Sequence, residues 1–112
     1  MMLRVVNSEG RPFNVRIIRI GEKWGRGDVL THKATRFHNE PLVEFYDATT
    51  CASTGSAFGP RGQFVSRYYL STLRASALDG AGVHLYGGSS DWWLDASVVQ
   101  EAYKWVASEV TA

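Results

Sequence analysis

The sequence predicts an α+β domain, a mostly antiparallel sheet in the element order β-β-β-α-β-α with two helices packed on one face. Three observations carry that reading. Short β-branched runs alternate between apolar and polar residues near the N-terminus and at 42–47, a stripe of helical period closes the chain, and Gly, Pro, Asn and Asp separate the runs. At 112 residues the chain has room for a single domain, 1–112, because stable cores come in units of about 100 to 200 residues.

Leu3 to Val6 and Phe13 to Ile20 read as two strands joined by Asn7-Ser8-Glu9-Gly10, a tight turn whose Gly suits a left-handed backbone. In the second strand Phe13, Val15 and Ile17 alternate with Asn14 and Arg16. Ile18 and Ile20 then fall on the polar side, which predicts a bulge or a strand end covered on both faces. Gly21 to Asp28 reads as a loop and Val29 to Pro41 as irregular. Leu42 to Asp47 is the third strand, with Val43, Phe45 and Asp47 on one face and Leu42, Glu44 and Tyr46 on the other.

Ala48 to Gly62 is a long Gly-rich connection, longer than most loops and of a kind that is commonly functional. From Gln63 to Ser76 the residues Phe64, Val65, Tyr68, Tyr69, Thr72 and Leu73 fall on one half of a helical wheel, with Arg67, Leu70 and Arg74 opposite. A helix is expected there, with a strand as the competing reading because Tyr and Thr favour sheets. Asp79-Gly80-Ala81-Gly82 stops it, and Val83 to Tyr86 is a short strand. The final helix carries Val99, Ala102, Val106 and Val110 at spacings of three and four, with Trp105 on its flank. Its cap is either a Ser97/Gln100 capping box or Asp95.

The formal net charge of +1 is unevenly spread: residues 1–74 sum to +5 and residues 75–112, with Lys104 against five acids, to −4. The lone Cys51 cannot form an internal disulfide, no run approaches the roughly 18 apolar residues of a membrane span, and the first ten residues turn polar too soon for a signal peptide. A cytoplasmic protein is expected. Arg4, Arg11, Arg16, Arg19 and Arg26 could serve a nucleic-acid surface, but a pI near 7.9 and the acidic end weigh against one.

The candidates for chemistry match no strong motif. His32, His38, Asp47 and Cys51 have no zinc-ligand spacing, so no metal and no cofactor are expected. The stretch 53–62 lacks the Walker and dinucleotide patterns, although a helix starting after it would offer an anion free N–H groups beside Arg61. Asp28, His32, Glu44 and Asp47, with Arg61 as an anion clamp, are the candidates for a small-ligand or catalytic cleft beside the 48–62 loop. Adjacent Trp92 and Trp93 cannot both face one core from a strand, so one must meet the rim or a partner. Aromatic and Arg excess without motif chemistry favours a non-enzymatic interaction module that self-associates or docks on a host protein. Arg67, Leu70, Arg74, Trp92, Trp93 and Trp105 are its contact candidates.

The run Gly62-Gln63-Phe64-Val65-Ser66-Arg67-Tyr68-Tyr69-Leu70-Ser71-Thr72-Leu73, with the Gly-Gly and Trp residues between Gly87 and Trp93, resembles small uncharacterised accessory proteins of bacterial mobile elements such as phages, plasmids and integron cassettes. The resemblance implies a compact bacterial accessory protein and carries over no functional residue.

Overall fold

The first two β-branched runs close on each other as expected: strand β1 (Met2–Val6) pairs antiparallel with β2 (Pro12–Ile18). Asn7 organises the turn, its side-chain oxygen accepting the backbone N–H groups of Glu9 at 3.1 Å and Arg11 at 2.8 Å, while Gly10 takes the left-handed φ of +84°. The computed structural model describes residues 2–18, 23–24, 27–28, 41–50, 61–87 and 90–111. The irregular segment 29–40 and most of the 48–62 connection lie outside these. Within the expected 21–28 loop the chain makes a minimal ladder, β3 (Lys23–Trp24) against β4 (Gly27–Asp28).

Strand β5 (Leu42–Asp47) pairs antiparallel with β2 on one side and with β6 (Gln63–Tyr69) on the other, giving a four-stranded sheet in the order β1-β2-β5-β6. The expected 63–76 helix is therefore corrected. Residues 63–69 are a strand, and helix α1 occupies only Leu70–Leu78. The reason is tertiary: Phe64, Val65, Tyr68 and Tyr69 suit a pleated surface, and β5 supplies the partner that makes the strand worth more than the helical wheel. A register shift opposite Phe45 and Tyr46 leaves Val65 and Ser66 consecutively buried, which hides the two-residue period in the sequence.

Two backbone features fix the edges of this unit. At α1's start the N–H of Leu70 donates to the carbonyl of Pro41 at 3.2 Å, in place of a side-chain cap. At its end Gly80 (φ +68°) lets Gly80 N–H reach Ala77 and Ala81 N–H reach Ser76, a Schellman closure. Strands β7 (Val83–Gly87) and β8 (Ser90–Leu94) then form a separate hairpin, and helix α2 (Ala96–Thr111) follows. The β8 strand and the β6 strand are the main elements that the β-β-β-α-β-α reading lacks. Its class and its helices on one face of an antiparallel sheet hold.

The core lies between the sheet and the helices. Val5, Phe13, Val15, Val43, Phe45 and Val65 meet Leu73 and Ala77 of α1, Val83, Leu85 and Leu94 of the hairpin, and Val98, Val99, Ala102 and Val106 of α2. The α2 stripe thus faces inward as its spacing requires. Asp95 rather than the Ser97/Gln100 box begins this helix, accepting the N–H groups of Val98 and Val99 on its carbonyl and the Ser8 N–H and the Ser97 hydroxyl on its carboxylate. Gln100 reaches across to the Ala77 carbonyl instead. On the sheet's far side Ile18 and Leu42, with Tyr69 against them, form a second small apolar cluster, so this strand end is covered on both faces.

Candidate functional site

Three side-chain clusters arise from this arrangement. The first sits on the far face of the sheet, where alternation brings Arg16, Glu44 and Arg67 into one cross-strand row. Glu44 is fully buried. Its Oε1 accepts from Arg16 at 3.2 Å and from the Tyr46 hydroxyl at 2.7 Å, and its Oε2 accepts from Arg67 Nε and Nη2 at 3.1 and 2.9 Å. A carboxylate with four donors in place has no lone pair poised for substrate; it bridges two guanidinium groups inside a sheet. Burial and the bond to Glu44 push the Tyr46 hydroxyl above its ordinary pKa, which keeps it a donor.

The second cluster closes one end of the sheet. Asp47 Oδ2 accepts from Arg11 Nε and Nη2 at 3.1 and 2.5 Å, and Oδ1 accepts from the Thr49 N–H and hydroxyl. Burial raises the Asp47 pKa, but the bonds from Thr49 and Arg11 outweigh it and hold the carboxyl below its ordinary value. The guanidinium of Arg11 in turn lies 3.8 Å from the ring centre of Trp92, whose edge meets Phe13 in the core. Gly62, at φ +91°, passes so close behind Asp47 that a Cβ would overlap the Asp47 backbone oxygen.

The third cluster is the outward face of the β7–β8 hairpin. Because side chains alternate, Val83, Leu85, Trp92 and Leu94 point to the core while His84, Tyr86, Asp91 and Trp93 make a two-by-two tile on the other side, with His84 opposite Trp93 and Tyr86 opposite Asp91. Tyr86 is 66% exposed and Trp93 48% exposed. His84 stacks obliquely on Tyr86 with ring centres 4.3 Å apart, meets Trp93 edge-on at 6.2 Å, and pairs through Nε2 with Asp91 Oδ1. The tile is anchored from beneath. Ser66 and Tyr68 hydroxyls of β6 donate to the backbone carbonyls of Tyr86 and His84 at 2.6 and 2.5 Å, and the Trp93 indole lies over Gly82. Burial raises the pKa of Tyr68, so that bond persists through the neutral range.

No family model, no curated protein and no solved structure matches this chain.

The expected ligand candidates do not converge among the described residues. Glu44 and Asp47 both lie on β5 but point to opposite faces, Glu44 paired with Arg16 and Arg67 and Asp47 with Arg11, and Arg61 is an exposed residue whose carbonyl accepts from Asn14 at 2.8 Å. Asp28 lies in β4; His32, His38 and Cys51 fall outside the described residues. No helix begins after the Gly-rich stretch, so the anion site expected at its N-terminus is corrected to a strand entry. Of the arginines considered for nucleic acid, Arg11 and Arg16 are paired with carboxylates, and Arg19 and Arg26 fall outside the described residues. Among the described residues no helix is long and apolar enough to cross a membrane.

The contact candidates separate as well. Arg67, Leu70 and Arg74 share no helical face: Arg67 is in β6 on Glu44, half-buried Leu70 packs on the core, and only Arg74 is exposed on α1. Trp92 turns inward and Trp93 outward, as adjacent strand residues must. Trp105 is half-buried and packs against the core from α2's flank. The tile residues that the sequence reading missed, His84, Tyr86 and Asp91, were signalled by the alternation on both sides of Gly87-Gly88-Ser89, the pattern of a hairpin.

Proposed function

We propose that the protein is a non-enzymatic interaction module that self-associates or docks on a host protein through the outer face of the β7–β8 hairpin. The observation that carries this reading is the pair of exposed rings, Trp93 and Tyr86, bridged by His84 and held over Gly82 and the β6 hydroxyls. Preformed aromatic surface costs little ordering on binding and is the commonest hot-spot chemistry at protein interfaces. The two carboxylates best placed for acid–base work, Glu44 and Asp47, are each committed to an arginine, which favours this reading over a catalytic cleft. A cytoplasmic setting and an accessory role in a bacterial mobile element fit a small chain with a single cysteine.

Sedimentation velocity of the full chain and of Trp93→Ala tests the proposal. The wild type should associate at high micromolar concentration, and loss of a hot-spot Trp should raise the dissociation constant about 30-fold, equivalent to roughly 2 kcal/mol. A wild type that stays strictly monomeric removes self-association and leaves docking on a host protein.

A further inference from the structure

The tile combines three rings with one carboxylate, and that composition selects among partners. We infer that it receives an arginine side chain from a second copy of this chain, an inference that rests on the hairpin reading above. A purely apolar partner would leave the exposed carboxylate of Asp91 desolvated beneath it, whereas a guanidinium can stack on Trp93 or Tyr86 while it donates to that carboxylate. Asp91 Oδ1 is engaged by His84 while the side chain stays 60% exposed, which leaves the carboxylate accessible to an incoming donor. The chain's own charge pattern identifies the source. The tile lies in the segment 75–112 that sums to −4, while all nine arginines lie in residues 1–74, and Arg4, Arg61 and Arg74 among them are exposed. An exposed arginine of one copy thus complements the exposed Asp91 carboxylate of another's hairpin.

The test uses Nα-acetylarginine amide as the probe and its citrulline counterpart, which has nearly the same shape and no charge. In NMR titrations of dilute, ¹⁵N-labelled full-length protein, the arginine probe should shift the Trp93 indole N–H and the Tyr86 amide saturably. Asp91→Asn should weaken that binding roughly 5- to 10-fold. In sedimentation runs the arginine probe should dissociate the self-associated wild type and the citrulline probe should not. Equal effects of the two probes, no shift at Trp93, or a chain monomeric at every concentration overturns the inference. Association that Trp93→Ala abolishes but that neither the arginine probe nor Asp91→Asn changes overturns it while leaving the hairpin interface standing. If Trp93→Ala changes nothing, the hairpin reading itself fails.

Discussion

The indole of Trp93 lies across the backbone of Gly82, so closely that a Cβ built on that glycine would overlap the indole Cζ2 and come within 2.7 Å of Cε2. The same Cβ would press on the backbone oxygen of Leu94 at 2.5 Å, which can yield only if the hairpin backbone moves, while the ring would have to swing aside. Gly82 is thus the floor on which the exposed ring rests.

Gly82→Ala should therefore destabilise the fold by about 1–3 kcal/mol, as overpacking does, and weaken association because the ring is displaced. Urea denaturation and sedimentation on the same variant check both. Unchanged stability would mean that the ring is not seated on this glycine.

Glu44 takes four donors on the far face of the sheet, and its removal takes their shared carboxylate from two partly buried guanidinium groups. Glu44→Leu should cost about 3–5 kcal/mol in chemical denaturation. Changing Arg16 and Arg67 to Met in the same chain should recover most of that loss, because the positive charges that Glu44 balanced in part are gone with it. A triple variant as unstable as the single would show that packing, not charge, sets the cost.

Asp47 gives stability a defined pH dependence. Its carboxyl is held below its ordinary value of 3.8, so its contribution is present above about pH 4 and lost as pH falls through the folded-state value. Asp47→Asn should lower the melting temperature at neutral pH, and the gap from wild type should close as pH drops below 4. A gap independent of pH would place the effect in packing rather than in the Arg11 pair.

How much of this was legible in the sequence depends on whether the deciding interaction is local. The β1–β2 turn at Asn7 and Gly10, strand β5 and the inward stripe of α2 all follow from short-range spacing, and each was expected. Strand β6 is only the competing reading in the sequence, because its aromatic residues satisfy a helical wheel as well as a pleat, and the partner strand β5, carrying Glu44 opposite Arg67, decides between them. With β6 misread, Arg67 was assigned to the wrong surface. Trp92 and Trp93 were separable by alternation, but the outward direction of Trp93 needed the core on the other side of the hairpin.

The two residues Trp105 and Val106 separate core from flank on α2. Val106 is completely buried, and Val106→Asp should leave no cooperative unfolding transition, since an unpaired charge there costs several kcal/mol. Trp105→Ala removes a half-buried ring that packs on the core, so it should lower stability by about 2–3 kcal/mol and keep a cooperative transition. Thermal melts followed by circular dichroism distinguish the two; equal loss of cooperativity would make Trp105 a core residue.

The proposed partner surface is the outer face of the β7–β8 hairpin. Amide NMR spectra of the wild type across a dilution series from high to low micromolar concentration test it most directly. The concentration-dependent shifts should include His84, Tyr86, Asp91 and Trp93 and vanish in Trp93→Ala. Shifts confined to the exposed edge strand β1, or to the exposed side of α2, with the hairpin unmoved would contradict it.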